Sequence, residues 1–236
     1  MIDLPTRLIL QRRYYPALEE RVFRELKGLL SDILRPGARV LDAGSGRGTW
    51  ILELYRDRIA SWVRADIEQP RDEAVENFVQ CDLAAMPFSD ASFDLVLCYN
   101  VIEHLADPPR VFADIARVLR PGGYLVFKTP SLYTPAIFIS RLTSVNLHRR
   151  LKGASGSDRA QVFPTHYRCN TPGALDRALG AVGFVRRCLY TVDQTYEYLA
   201  FTRLTYMFGL LYSRTVQSLG PYWLRNVIVG GYMMPG

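Results

Sequence analysis

The run Val40-Leu41-Asp42-Ala43-Gly44-Ser45-Gly46-Arg47-Gly48-Thr49 constrains the fold of this chain more than any other stretch. The apolar segment Ala38 to Leu41 reads as a strand, and it ends in an acidic residue. Three alternate glycines follow, then a helix-like segment from Thr49 to Arg58. A strand-to-helix turn with glycine at every second position lets a ligand lie against bare backbone. A Cβ at Gly44 or Gly46 would push that ligand away. Alone, a glycine triplet also fits a purely structural turn. The residues that follow it decide against that reading.

A second strand, Ser61 to Ala65, ends at Asp66. That is about twenty residues past the glycines, where an acidic residue reaches ribose hydroxyls in a doubly wound sheet. A carboxylate can accept two hydrogen bonds from a vicinal diol. The turn reads Gly-x-Gly-x-Gly and so is not the dinucleotide fingerprint. A third strand, Asn77 to Gln80, runs into Cys81-Asp82-Leu83, where an Asp can accept from an exocyclic adenine amine. The fourth, Phe93-Asp94-Leu95-Val96-Leu97-Cys98, continues into Tyr99-Asn100-Val101-Ile102-Glu103-His104-Leu105. A helix from Pro109 to Leu119, a hard turn at Arg120-Pro121-Gly122-Gly123 and a fifth strand, Tyr124 to Lys128, complete the series.

With these motifs in this order, the chain resembles the class I S-adenosylmethionine-dependent methyltransferases. It is similar to the group in which Phe-Asp-Leu-Val precedes Glu-His-Leu, and Arg-Val-Leu-Arg-Pro-Gly-Gly precedes the fifth strand. The resemblance covers roughly residues 15 to 130 well and the rest loosely. It implies a Rossmann-like α/β fold: a seven-stranded sheet, six strands parallel and the last antiparallel, with helices on both faces. It also implies S-adenosylmethionine as cofactor; the insertions after strands five and six both leave from the carboxyl edge where ligands bind in such a sheet, so they are the expected lid. Carried over by position, Asp42, Gly44, Ser45, Gly46 and Gly48 would hold the methionine part. Asp66 would take the ribose and Ile67 would lie beside the adenine. Asp82 would take the adenine amine, flanked by Cys81 and Leu83, and Asn100 and Val101 would line the sulfonium side. Arg47 departs from the small or neutral residue often found there.

The length of 236 residues fits one methyltransferase domain. Within it we expect a leading helix (11–34), a cofactor core (36–130), a lid and acceptor insertion (131–171) and an amphipathic helical insertion (195–220). Four cysteines, Cys81, Cys98, Cys169 and Cys188, lack paired spacing, so reduced thiols are expected rather than zinc ligands or disulfides. No metal site is expected. The first residues show no signal-peptide pattern, which reads as a cytoplasmic protein. The net charge of +6 is uneven: residues 1–133 hold 17 Lys+Arg and 19 Asp+Glu, residues 134–236 hold 12 and 4. The basic residues are dispersed and no RNA-binding motif accompanies them, so nucleic acid is not the expected partner. A membrane surface or an anionic acceptor remains open, as does a homodimer.

In the leading helix, Val22, Phe23, Leu26, Leu29 and Leu30 alternate with charges at helical spacing, and Tyr14-Tyr15-Pro16 stands at its start. The two tyrosines read either as a cap or as a flap on the substrate. After the fifth strand come a short helix-like stretch (136–142), a Gly/Ser patch (153–157) and Phe163-Pro164-Thr165-His166-Tyr167-Arg168. Thr171-Pro172 starts a helix ending near Gly183, and a sixth strand, Phe184 to Val192, follows. Asn226 to Met233 suits the last strand, with Gly230-Gly231 weakening or bulging it. Between these strands, Phe201, Thr205, Phe208 and Tyr212 share one helix face, opposite Arg203, Arg214 and Gln217. That helix reads as docked on the core, as an interfacial helix or as a pocket wall.

Methyl transfer needs mainly alignment. A hydroxyl acceptor also needs a base, and histidine has the most suitable pKa. His104, after the fourth strand, and His166, in the insertion, are the candidates, with Glu103 in reserve and His148 flanked by arginines. Tyr167 and Arg168 would contact the acceptor, Arg168 through an anionic group. The expected activity is O-methylation of a small molecule, glycan or glycolipid. The alternatives are methylation of a membrane quinone or lipid, and a cofactor-binding scaffold without catalysis.

Overall fold

The computed structural model describes residues 2–15, 18–46, 48–70, 76–132 and 164–236, with backbone only for 18–22. The expected features at 136–142 and 153–157, together with Arg47, His148 and Phe163, lie outside the described residues. Among the described residues the chain divides into two compact units. One comprises residues 1–23, 131–164 and 191–227, the other residues 24–130, 165–190 and 228–236.

The second unit is built on strands β1 (Ala38–Ala43), β2 (Ile59–Asp66), β3 (Phe78–Gln80), β4 (Phe93–Tyr99) and β5 (Leu119–Pro130). With β6 (Val185–Val192) and β7 (Val227–Met233) they form a seven-stranded sheet in the order β3-β2-β1-β4-β5-β7-β6. Pairs β1–β2, β1–β4, β2–β3 and β4–β5 are parallel. The last strand runs antiparallel, and past its end Met234 N donates to Gly123 O at 2.9 Å while Gly122 N donates to Met234 O at 2.8 Å. This is the Rossmann-like order expected. Its direction reverses between β1 and β4, which opens a crevice at their carboxyl ends.

Near-continuous apolar runs such as Leu95-Val96-Leu97 make the central strands, because both faces are covered. Helix α3 (Pro108–Val118) starts at Asp107, whose side chain accepts from Arg110 N, and buries Val111, Phe112, Ile115 and Val118. Helix α4 (Pro172–Gly180) is capped by Thr171 as expected. The Arg120–Gly123 turn proves to be an irregularity inside β5, where the pairing jumps from Phe93–Leu119 to Leu95–Tyr124 and Gly122 has φ 78°. Strand β7 is not broken at Gly230-Gly231. A Cβ at Gly230 would collide with the Phe127 ring and one at Gly231 with Leu29, so the glycines admit those side chains.

Three local expectations change. The leading helix is two: α1 (Leu4–Tyr14) and α2 (Leu18–Ile33). Asp3 caps α1 by accepting from Thr6 N at 2.7 Å, and Tyr15 leaves the helix at φ −151°, ψ 70°, outside the α region that a following proline disfavours. The Tyr14-Tyr15 pair therefore ends a helix instead of starting one. The segment after the glycine turn, Trp50–Arg58, is a 3₁₀ helix that breaks at Tyr55, whose hydroxyl donates to Lys27 O at 2.7 Å. The late helix is also two, α5 (Thr195–Tyr198) and α6 (Arg203–Ser218).

In the first unit α6 buries Tyr206, Gly209, Leu210, Ser213 and Val216. Tyr206, Leu210, Tyr15, Tyr196 and Ala200 form a cluster, and Gln11 Nε2 donates to the Tyr206 hydroxyl at 2.8 Å. Phe201 and Phe208, on the face expected to dock, point to solvent instead.

Candidate active site

The carboxyl ends of the first four strands bring the expected cofactor residues of the second unit to one edge. Asp42, the fifth residue of β1, is wholly buried. Its two carboxylate oxygens accept from Thr49 N (3.0 Å) and Thr49 Oγ1 (2.7 Å), tying the far end of the glycine turn to the strand. Burial pushes its pKa up to about 6 against these bonds. The turn needs its glycines. Gly44, Gly46 and Gly48 have φ of 72°, 52° and 98°, which L side chains rarely adopt. A Cβ on Gly44 would also collide with Val101, whereas Gly46 has no described atom within 4 Å of where its Cβ would stand. Ser45 Oγ is buried and lacks a hydrogen-bond partner among the described residues.

Asp66, the last residue of β2, accepts from Gly46 N at 2.8 Å and from Glu68 N at 3.1 Å. One carboxylate thus joins two strand ends and keeps lone pairs to spare. Ile67 beside it is 58% exposed, an apolar side chain held in solvent. Asp82 closes a tight turn by accepting from Ala84 N at 2.9 Å, between half-buried Cys81 and buried Leu83. Asn100 turns the chain at the end of β4 with φ 58°.

A second group of polar residues stands at the ends of β4 and β5. The carboxylate of Glu103 is buried, and burial holds its pKa above the ordinary value. Oε2 accepts from Thr129 Oγ1 at 3.0 Å, and Asn170 Nδ2 donates to the same Thr129 oxygen at 2.7 Å and to Pro130 O at 3.1 Å. Oε1 lies 3.9 Å from His104 Nε2. The backbone carbonyl of Glu103 accepts from both His166 N (2.8 Å) and Tyr167 N (3.1 Å), and Tyr167 takes φ 50° to do so. The segments carrying the two candidate histidines are therefore hydrogen-bonded to each other. The side chains of His166 and Arg168 are exposed. Lys128 places Nζ 4.6 Å from the Tyr99 ring centroid and 3.4 Å from Asn100 Oδ1.

Tyr14 and Tyr15 belong to the other unit, and Tyr15 is buried in its aromatic cluster. Sequence reasoning missed Thr49, Lys128, Thr129 and Asn170. The Asn170-Thr171-Pro172 stretch carried a signal only for the helix start, and the partners of Asn170 lie about forty residues away.

A parallel sheet that reverses at a glycine turn, with acidic residues closing the next two strands, defines a nucleoside-cofactor domain. The methyltransferase domain family matches residues 41–127. A probable S-adenosylmethionine-dependent methyltransferase of Mycolicibacterium smegmatis is 37% identical over 108 residues, 42% of this chain and 40% of that protein. A ubiquinone biosynthesis O-methyltransferase of Xanthomonas campestris pv. campestris is 33% identical over 128 residues, 49% and 52% of the two chains. The chain thus spans only about two fifths to half of these curated relatives. The S-adenosylmethionine-dependent methyltransferase structure from Mesorhizobium loti has the same fold, with TM-score 0.60 at 16% identity over 89% of this chain and 96% of that one. The matched segment, these relatives and the shared fold support a class I S-adenosylmethionine-dependent methyltransferase domain with S-adenosylmethionine as its cofactor.

Proposed function

We propose that the chain transfers a methyl group from S-adenosylmethionine to a hydroxyl oxygen of a small-molecule, glycan or glycolipid acceptor. The observation that carries the reading is the turn: among the described residues Ser45 Oγ is buried without a hydrogen-bond partner, no atom stands within 4 Å of where a Gly46 Cβ would be, and Asp66 accepts from Gly46 N. These residues fit an adenosyl and amino-acid ligand, because it brings both hydroxyls and charged donors and acceptors to them. When bound, the cofactor supplies a methyl already activated on a sulfonium.

The residues of the chain do the rest. Asp42 holds the turn in shape through Thr49, and Asp66 would accept from the ribose diol. Ile67 and Leu83 would lie beside the adenine, with Asp82 to accept from its amine. Asn100 and Val101 would line the methyl side. His104 takes the acceptor proton, and the Glu103 carboxylate 3.9 Å away stabilises the imidazolium that forms. The backbone bonds to Glu103 keep His166, Tyr167 and Arg168 at the same edge, where Arg168 pairs with an anionic group of the acceptor. A lipidic acceptor such as a quinol is the second reading, favoured by apolar side chains left in solvent on α6.

Radiolabelled S-adenosylmethionine offered with sugars, lipid-linked sugars and quinols tests both. Label in a sugar hydroxyl supports the first reading, and label only in quinols supports the second. Tight cofactor binding with no S-adenosylhomocysteine formed from any acceptor would leave a cofactor-binding scaffold.

A further inference from the structure

Helix α6 has two apolar faces. One is buried within its own unit through Tyr206, Gly209, Leu210, Ser213 and Val216. Gly209 lets this face approach α5 closely, since a Cβ there would stand 2.7 Å from Tyr196 Cα. On the other side Leu204, Phe208 and Leu211, spaced i, i+4, i+7, are 59%, 58% and 40% exposed. Phe201 before the helix and Tyr222 and Trp223 after it are exposed as well. Exposed apolar residues scattered singly need no explanation, but an aligned row on one helix does.

The charge on α6 itself has one sign. From Tyr198 to Gly236 the chain holds no Asp or Glu and three arginines, Arg203, Arg214 and Arg225. Arg203 and Arg214 are exposed and, eleven residues apart, share one flank of α6. The imbalance extends to the described residues of the unit, which hold 7 Lys+Arg against 5 Asp+Glu, whereas those of the other hold 15 against 15. The net charge of the described residues thus lies in the unit with the exposed apolar row.

We infer that the outer face of α6 binds the surface of an anionic phospholipid bilayer. Leucine and phenylalanine enter the acyl boundary, tyrosine and tryptophan sit at headgroup level, and the flanking arginines meet lipid phosphates. The occupant is a membrane surface and not a second copy of the chain, because α6 carries arginines and no carboxylate of its own, and a second copy of this face would set those arginines against each other. No helix of the described residues is long and apolar enough to cross a membrane, so the contact lies along the surface. This inference does not depend on the methyl-transfer reading, and its test measures lipid binding alone.

Sedimentation of the full chain with phosphatidylglycerol–phosphatidylcholine vesicles, and with phosphatidylcholine alone, tests it. At low salt the anionic vesicles should carry the protein down and the neutral ones at least tenfold less, and half-molar salt should release it. The double variant Phe208→Ser/Leu211→Ser should keep its melting temperature, since neither side chain is buried, and lose at least tenfold in binding. Arg203→Gln should weaken binding and flatten its salt dependence. Failure to sediment with anionic vesicles at low salt would overturn the inference. So would full binding by the double variant, or a concentration-dependent dimer that the double variant dissolves.

Discussion

Asp42 carries a cost that pH can reveal. Its folded pKa of about 6 lies above the ordinary 3.8, so between those values the folded chain keeps a proton that the unfolded chain has released. Its contribution therefore lowers stability as pH rises from about 4 to about 6, by an amount on the order of 3 kcal/mol. Denaturant titrations should show that Asp42→Asn removes part of this decline. An identical slope in wild type and variant would contradict the assignment. Asp66 is the proposed ribose acceptor: Asp66→Ala should weaken S-adenosylmethionine binding at least tenfold by calorimetry, since charge-assisted hydrogen bonds contribute about 1.5–3 kcal/mol each. With a hydroxyl acceptor, His104→Gln should lower kcat and abolish the acid limb of the pH–rate profile. His166→Gln, with its side chain in solvent, should raise KM and spare kcat. Near-normal kinetics in both would move the proton to Glu103 or to water. The gathering of the glycine turn and these acids at one edge was legible because they are neighbours in sequence or stand at the ends of consecutive strands. Thr129 and Asn170 were not, because their partners meet only through the sheet.

At the scale of elements, α6 shows where periodicity stops informing. Its sequence gives apolar rows on both sides, Tyr206-Leu210-Val216 and Leu204-Phe208-Leu211, and a helical period cannot say which turns inward. Gly209 was the available signal, since a glycine in a helix marks close approach of another chain segment. Leu210→Ala should accordingly cost about 2–5 kcal/mol, while Phe208→Ser should cost less than about 0.5 kcal/mol. Thermal melts of the two variants compare the faces directly. In the strands and in α3 and α4 the reading held closely, because alternating or continuous burial and a Thr-Pro or Asp-x-Pro start are local signals. The break between α1 and α2 was also written locally, in Asp3 and Pro16, but the long apolar stripe of the second helix masked it.

For the whole molecule, a ligand that binds only the folded chain should raise its melting temperature. S-adenosylhomocysteine at a hundred times its Kd contributes about 2.7 kcal/mol, a shift of roughly 5–10 °C for a chain of this size. No shift by scanning calorimetry would contradict a preformed site. The two compact units divide the labour of charge, one neutral overall and one basic. The bond from Asn170 to Thr129 carries a last consequence, for kinetics. It ties the segment before α4 to the end of β5, a strand whose register is set by pairing with β4. The bond therefore needs β5 in place and forms after that pair rather than before it. Asn170→Ala should then leave the refolding rate nearly untouched and speed unfolding, so that the edge proposed for the chemistry is the last part of the chain to assemble and the first to let go.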